Sequence, residues 1–277
     1  MRSKATVRIL HGVASGIGES HINFPIGYQD AHFCLNERGL FVGVICDGCS
    51  FASHGYTQNQ VGAIIGAEVI ARNLLRYVNG ESRSDRFERA VRKANRDSVF
   101  FFKRLLSNFR TSKLRIDRKA FIEDKLSFTV IGLLIVKDSY CVFGCGDGFF
   151  GVNGDVWDAE KKSSNRRFLE PLIATGKAEK FSVYHKGTIK ENDTLWIASD
   201  GLSDLFAKDR GVEHFQQFLD DERTCRIVEN SDHTIQPFRQ LASKSRTRLA
   251  DDVTIIVAKA KAISDPANTE PHKGQAS

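Results

Sequence analysis

The stretch FVGVICDGCSFASHG, residues 41–55, contains an apolar run that ends at an aspartate followed by a glycine. The run Phe41–Cys46 shows no polar alternation, which predicts a β-strand buried on both faces. An ionised carboxylate at the end of such a strand is costly unless a cation lies beside it. Two explanations of Asp47 are open: a tight turn between two strands, or a ligand site at the end of one strand.

The residues that follow Asp47 argue against a turn. Asp-Gly between two apolar strands is a common hairpin signal, because both residues tolerate positive φ angles. Residues 59–79, however, carry apolar residues at helical spacing and precede Gly80, which predicts a long helix ending there. A strand that leads into a loop and a helix has no hairpin partner. We therefore expect Asp47 to face a cleft.

An aspartate at the edge of a predicted strand occurs in five segments that lie far apart in the chain. A hairpin remains an equal alternative at Asp147-Gly148, because the apolar residues continue beyond it as a strand. The segments are GYQDAHF with Asp30, ICDGCS with Asp47, CGDGFF with Asp147, ASDGLSDLF with Asp200, and LADDVTIIVAK with Asp251 and Asp252.

Length and composition favour an intracellular enzyme. The chain has 277 residues, enough for a sizeable core, and residues 1–262 are predicted to form a single domain. Residues 263–277 are polar and contain proline, which predicts a disordered tail. The sequence shows no signal peptide and no apolar run near ~18 residues, so we expect a cytoplasmic protein without membrane association.

Six cysteines lie mostly inside apolar runs, and no disulfide framework is expected in so long a chain of this kind. Cys46 and Cys49 form a CxxC pair, which raises the alternative of zinc or redox chemistry. Zinc needs four ligands, and Cys141 and Cys145 would have to supply the others. Buried thiols in strands are the preferred interpretation.

The formal charge is +6 at pH 7, and basic residues concentrate between positions 83 and 119. Apolar residues in this stretch trace one face of a helix. Its basic residues then form either a solvated outer face or a surface that attracts an anionic partner such as a phosphoprotein. Nucleic acid is the less favoured partner, because no nucleic-acid-binding signature accompanies the helix. Residues 110–125 are polar and break the periodicity, so they are predicted to form a connecting loop or a flap.

The dispersed aspartates share a chemistry. Carboxylate oxygens with a backbone carbonyl, and without histidine or cysteine, suit Mg²⁺ or Mn²⁺ rather than zinc. A carboxylate that bridges two such ions would hold them about 3.5–4 Å apart. A cation at this position would also offset the charge of Asp47 at the end of its apolar strand.

In this order, GYQDAH, ICDGCS, CGDGFF, ASDGLSDLF and DDVTIIV resemble the motifs of the bacterial branch of the protein phosphatase 2C family. The resemblance runs from about Gly18 to Val257. It implies a fold of class α+β, a four-layer α-β-β-α sandwich of two antiparallel β-sheets flanked by helices. It also implies metal-dependent hydrolysis of phosphoserine and phosphothreonine in proteins.

The resemblance assigns roles to residues one motif at a time. Asp47 would bridge two Mn²⁺ or Mg²⁺ ions, and the Gly48 carbonyl would bind one of them. Asp200 and Asp251 would complete the shell of the other ion. Asp30 would hold metal-bound waters, and Asp147 would belong to a third metal site found in some members.

Three positions depart from the family pattern. The arginine that grips the substrate phosphate has no counterpart in SHINFPIGYQD, residues 20–30, and His21 is the candidate substitute. Gln29 stands where a glutamate is common. Cys49 occupies the place of a histidine that protonates the leaving group, which leaves Cys49 or the nearby His54 as candidates for that role.

These observations predict a phosphatase in which a water bridging the two ions attacks phosphorus without a covalent intermediate. A phosphorylated protein and its unknown cognate kinase are the implied partners, and the oligomeric state is open. One alternative is a non-catalytic relative that binds phosphoprotein or a signalling partner. Another is a metal-dependent nuclease, suggested by the basic helix.

Overall fold

We describe the protein from a computed structural model. The structure describes residues 7–22, 28–37, 39–49, 51–52, 55–78, 86–111, 117–162, 167–207, 210–220 and 249–262. The predicted tail 263–277 lies outside these ranges.

Two five-stranded antiparallel sheets form the centre of the fold. The first sheet has the strand order β1-β12-β11-β8-β9, and the second has the order β10-β7-β6-β3-β2. A short ribbon of β4 and β5 follows β3. The strands are β1 (Val7–Gly16), β2 (Ala31–Glu37), β3 (Leu40–Gly48), β4 (Phe51–Ala52), β5 (Gly55–Tyr56), β6 (Phe128–Val136), β7 (Ser139–Cys145), β8 (Phe149–Val152), β9 (Asp155–Asp158), β10 (Ser182–Thr188), β11 (Thr194–Ala198) and β12 (Val253–Ala262).

The prediction that residues 41–46 form a doubly buried strand is confirmed by β3. Phe41 and Ile45 point into the core between the two sheets. Val42, Val44 and Cys46 point the other way, into a core covered by helices. Because successive side chains of a strand alternate between its faces, a strand covered on both sides is apolar at every position.

Helices cover both outer faces of the sandwich. The helices are α1 (Glu19–Ile22), α2 (Gln60–Val78), α3 (Arg86–Thr111), α4 (Arg118–Lys125), α5 (Pro171–Thr175), α6 (Ser203–Phe206) and α7 (Gly211–Asp220). On the second sheet, α2 and α3 bury residues such as Leu74 and Phe102. On the first sheet, Trp196 of β11 packs against Phe215 of α7, with ring centroids 4.8 Å apart. The predicted four-layer α-β-β-α sandwich is therefore confirmed.

The segment Asp147-Gly148 connects the two sheets. The strand before it, β7, belongs to the second sheet, and the strand after it, β8, belongs to the first. The hairpin alternative at this position is therefore wrong. The nearby hairpin lies one strand later, where Asn153 has a φ of 54° and Val152 pairs with Asp155.

The prediction of a loop over residues 110–125 is wrong in its second half, where α4 forms. The side chain of Asp117 accepts a hydrogen bond of 2.8 Å from the backbone N–H of Lys119 and caps the helix. Ile122 is buried in the core under α2. A helix of eight residues with one fully buried side chain shows too little apolar periodicity to be recognised in the sequence.

Strands from the two ends of the described chain pair with each other. β1 and β12 are antiparallel neighbours over ten residue pairs, from Val7↔Ala262 to Gly16↔Val253. The predicted boundary at residue 262 coincides with the last residue of β12 and stays a prediction. Within the described residues, no helix has the length and apolar character needed to cross a membrane.

Candidate functional site

The strand registers bring the predicted aspartates to one end of the sandwich. The start of β2 pairs with the end of β3 at Ala31↔Cys46, so Asp30 and Asp47 lie at the same edge. The end of β11 pairs with the starts of β8 and β12, at Ala198↔Phe149 and Ala198↔Ile255. The segments that carry Asp147, Asp200 and Asp251 follow or precede these positions directly.

Asp47 and Asp200 are the centre of this cluster. Their side chains lie within hydrogen-bonding distance of each other, and two carboxylates can share such a contact only with a proton or a cation between them. Burial, and then the neighbouring charges of Asp30 and Asp200, raise the pKa of Asp47 well above its ordinary value. Burial is also the main reason that the pKa of Asp200 is raised to about 6.

Asp30 lies beneath this pair and is almost fully buried. Its Oδ2 accepts a hydrogen bond of 2.7 Å from the Ser199 hydroxyl, which itself accepts one of 2.9 Å from the Thr254 backbone N–H. Burial raises the pKa of Asp30 to about 8, although the bond from Ser199 lowers it. The other oxygen of Asp30, Oδ1, is buried and has no hydrogen-bond partner among the described residues, and the same holds for Oδ1 of Asp200.

Asp251 lies at the outer side of the cluster. Its side chain is 47% exposed, but burial of the remainder raises its pKa, and its charge acts on both Asp47 and Asp200. Asp147 is partly buried and acts on Asp200 in the same way. The five aspartates predicted from the sequence are thus electrostatic neighbours.

Asp252 is an important residue that the sequence analysis did not assign. Its side chain is buried and accepts hydrogen bonds from the backbone N–H groups of Gly18, at 2.8 Å, and Gln29, at 2.6 Å. The Nδ1 atom of His21 lies 2.9 Å from Oδ2 of Asp252. Asp252 therefore ties the segments before α1 and β2 to the start of β12, next to Asp251. The adjacent Asp-Asp pair was the available signal, but the sequence does not tell which carboxylate turns inward.

Two glycines allow the segments of the cluster to approach closely. A Cβ atom on Gly201 would lie 2.1 Å from the carbonyl oxygen of Asp252, and one on Gly18 would lie 2.4 Å from the carbonyl carbon of Asp251. Real Cβ atoms do not come this near to backbone atoms, so a larger residue at either position would push the segments apart.

The remaining residues named from the sequence are His21, Cys49, His54 and Gln29. His21 is 3% exposed and faces Asp252, a placement that does not support its predicted contact with substrate phosphate. The Cys49 backbone N–H donates a 3.0 Å hydrogen bond to the carbonyl of Ser127, and its side chain is partly exposed. His54 lies outside the described residues. Gln29 is buried and donates a hydrogen bond of 3.0 Å from Nε2 to the Thr57 carbonyl.

The donor atoms of the cluster suit hard divalent cations. They are carboxylate oxygens, which Mg²⁺ and Mn²⁺ prefer, and two of them are the buried, unpartnered oxygens of Asp30 and Asp200. In the part of the chain that the structure describes, no group of three or more His, Cys, Asp or Glu side chains is arranged to hold a metal ion. Burial raises the pKa values of the Cys46 and Cys145 thiols, which opposes the thiolate form that zinc requires.

The chain was compared with known proteins. The family model described as protein phosphatase 2C matches residues 17–235. A search of curated proteins finds no match.

Similar solved structures include three bacterial-type proteins. The first is the catalytic domain of the serine/threonine protein phosphatase PstP in complex with two manganese ions, with a TM-score of 0.54, 14% identity and coverage of 92% of this chain and 99% of that one. The second is PppA of Pseudomonas aeruginosa, with a TM-score of 0.56, 15% identity and coverage of 93% and 100%. The third is RsbX in complex with magnesium, with a TM-score of 0.50, 15% identity and coverage of 94% and 98%.

At these identities the solved structures support the sandwich fold alone. The family model spans well over half of the chain and includes the segments of Asp30, Asp47, Asp147 and Asp200. The chain belongs to the protein phosphatase 2C family.

Proposed function

We propose that this protein hydrolyses phosphoserine and phosphothreonine in proteins with the help of two bound divalent cations, Mn²⁺ or Mg²⁺. The observation that carries the proposal is the contact between the carboxyl groups of Asp47 and Asp200 at the end of the sandwich. Such a pair is stable when the two groups share a proton or when a cation lies between them. Of these two, a cation is the one that could also bind and activate a phosphate group near neutral pH.

The proposed ligands are Asp47, the Gly48 carbonyl, Asp200 and Asp251. Asp30 would hold metal-bound waters behind these ligands. Ser199 donates a hydrogen bond to one of its carboxyl oxygens, and the other is buried without a partner among the described residues. Asp147 is the candidate for a third ion. The solved PstP and RsbX structures contain manganese and magnesium, respectively, which supports this choice of metal.

When bound, the ions would supply positive charge to the phosphate oxygens and lower the pKa of a water. Neighbouring residues hold the proposed ligands in place. Asp252 fixes the backbone beside Asp251 through its bonds from Gly18 and Gln29. The Ser199 hydroxyl holds Asp30 in a fixed position behind the proposed ligands.

The test is hydrolysis of p-nitrophenyl phosphate and of a phosphoserine peptide by the purified chain. Activity should appear with Mn²⁺ or Mg²⁺, disappear with a chelator and stay low with Zn²⁺. Full activity in metal-free buffer would contradict the metal-dependent mechanism. Degradation of plasmid DNA under the same conditions would instead favour the nuclease alternative.

A non-catalytic, phosphoprotein-binding role is the second candidate. It is favoured by the lack of an arginine in residues 20–30 and by the placement of His21 against Asp252. No turnover at any metal concentration, together with retained binding of a phosphopeptide, would support this role.

A further inference from the structure

The positive charge of the protein is concentrated in one helix. α3 (Arg86–Thr111) contains eight basic and two acidic residues, so its formal charge is +6. The whole chain has 40 basic and 34 acidic residues. The remainder therefore holds 32 of each, and α3 alone accounts for the net charge of the protein.

Four basic residues in the middle of α3 share a face that points away from the core. We call this the basic face of α3, and its members are Arg92, Arg96, Phe100, Lys103 and Arg104, all of which are exposed. Their spacing of four, four, three and one residues keeps them on one side of a helix. The opposite side buries Ala94, Phe102 and Leu106 in the core above the second sheet.

A large aromatic residue lies in the middle of this face. The side chain of Phe100 is 67% exposed, the highest value among the exposed large apolar side chains in the described residues. Arg96 and Arg104 lie one turn before and one turn after it. An exposed aromatic side chain surrounded by basic ones offers an apolar contact together with attraction for negative charge.

The charges of the face are available to a partner. Within the described residues, Arg92 and Arg104 make no ion pair. Arg96 pairs with its neighbour Asp97, at 3.0 Å, and interacts with the Tyr77 side chain, on the exposed surface. Lys103 donates a hydrogen bond of 3.1 Å to the Gly176 carbonyl. An exposed pair such as Arg96–Asp97 contributes little stability, so a competing acidic group can replace it at low cost.

The part of the basic face around Phe100, Lys103 and Arg104 lies toward the end of the sandwich that carries the aspartate cluster. Phe102 packs against Phe128, with ring centroids 5.8 Å apart, and Phe128 is the register partner of Gly48. A helix is about 10 Å across, so Phe100 lies roughly 15–20 Å from Asp47, a span that about five or six extended residues cover.

We propose that the basic face of α3 docks an acidic segment, with one apolar residue for Phe100, of the phosphoprotein that the aspartate cluster dephosphorylates. This inference rests on the proposed function. The docked segment lies about six or more residues from the phosphoserine, because a shorter connection does not span the distance. A peptide fits better than nucleic acid, since a single aromatic side chain on the face supplies an anchor rather than a stacking platform for successive bases.

The test compares two phosphopeptides with the same phosphoserine core. One carries an extension of Glu and Asp with a central Leu, starting six residues from the phosphoserine, and the other carries a Gln and Ser extension. The enzymes are the wild type, the triple variant Arg92→Glu/Arg96→Glu/Arg104→Glu, and Phe100→Ser. The matched control is Arg8→Glu/Lys161→Glu/Lys190→Glu, which makes the same change in net charge at exposed positions outside α3.

We expect the wild type to have at least a tenfold higher kcat/KM for the acidic peptide, mainly through a lower KM. The α3 triple variant should lose this preference, Phe100→Ser should lose part of it, and the control should keep it. All four enzymes should hydrolyse p-nitrophenyl phosphate at similar rates. In 0.5 M salt the preference should shrink, because exposed charges are screened.

A second readout does not depend on turnover. A fluorescent, unphosphorylated version of the acidic peptide should bind the wild type and the control, and bind the α3 triple variant at least tenfold more weakly. If p-nitrophenyl phosphate is not hydrolysed, the proposed function fails while this measurement still tests the surface. Equal binding to the wild type and the α3 triple variant, equal weakening in the control, or tighter binding of a single-stranded oligonucleotide to the same face would each overturn the docking proposal.

Discussion

Replacing Asp47 by asparagine should abolish activity and stabilise the metal-free protein at the same time. The amide is nearly the same size as the carboxyl group, so the strand end of β3 keeps its packing. It is a poor ligand for a divalent cation, and it is neutral. A metal ligand and a turn residue therefore respond in opposite ways to this one substitution.

The expected loss of turnover is at least about a thousandfold, or ~4 kcal/mol, because the transition state loses a main electrostatic stabiliser. The expected gain in stability follows from the acidic neighbours. Burial, and then the charges of Asp30, Asp200 and Asp251, raise the pKa of Asp47 itself well above its ordinary value, so its carboxyl group costs free energy in the folded, metal-free protein near pH 8. We expect the neutral amide of Asp47→Asn to recover about 1 kcal/mol of this cost.

The assay combines a rate measurement with thermal melts at pH 8, with and without Mn²⁺. A gain of about 1 kcal/mol should raise the metal-free Tm by about 2–4 °C in a domain of this size. Manganese should raise the Tm of the wild type further and leave that of the variant nearly unchanged. Asp155→Asn is the matched control, since it removes the same charge from an exposed position at the start of β9.

Equal turnover and an equal response to manganese in Asp47→Asn and wild type would refute a metal-binding role for Asp47. Asp47 would then be a turn residue, for which asparagine is an equivalent choice. A variant that loses activity but also melts well below the wild type without metal would show that the carboxyl group stabilises the fold by itself.

Three further outcomes test the arrangement of the cluster. Without metal, the free energy of unfolding should fall as the pH rises from about 4 to about 8. The folded-state pKa values of Asp200 and Asp30, about 6 and about 8, lie above the unfolded value, so the folded form binds more protons. In urea titrations Mn²⁺ should flatten this profile, and a flat metal-free profile would contradict the prediction. Gly201→Ala should lower the free energy of unfolding by about 2 kcal/mol and reduce the Tm shift produced by Mn²⁺. The Cβ atom of the alanine would lie 2.1 Å from the Asp252 carbonyl oxygen. An unchanged Tm would show that the segments of Gly201 and Asp252 can separate freely. Cys49→Ser should alter aryl phosphate turnover by less than about threefold. Cys49→His should accelerate hydrolysis of phosphoserine more than that of aryl phosphate, since a general acid matters most for poor leaving groups. A loss of bound zinc in the serine variant would restore the thiolate–metal interpretation.

Local patterns determined much of the secondary structure. Residues 41–46 were predictable as a doubly buried strand because every side chain in the run is apolar or glycine, and burial on both faces requires that. Helix α2 was predictable because its apolar residues recur at helical spacing over nearly twenty residues. The position of Asp47 at a strand end facing a site was predictable for a related reason, since a long helix follows it and leaves no hairpin partner.

Features that depend on distant segments were not predictable from such patterns. Whether Asp147-Gly148 closes a hairpin or crosses between sheets depends on which sheet receives β8, and both outcomes follow an apolar strand. Helix α4 depends on the Asp117 cap and on the burial of Ile122 beneath α2, which eight residues of sequence do not reveal.

The chain by itself determined which side chains are acidic and that each lies beside a strand. The tertiary structure decided which carboxylates meet and how each is held. Asp251 and Asp252 are adjacent and chemically identical, yet Asp251 is half exposed at the cluster while Asp252 is buried under hydrogen bonds from Gly18 and Gln29. The physical reason is that successive residues at the start of a strand point to opposite sides. Only the packing of β1, β2 and β12 determines which side is the protein interior.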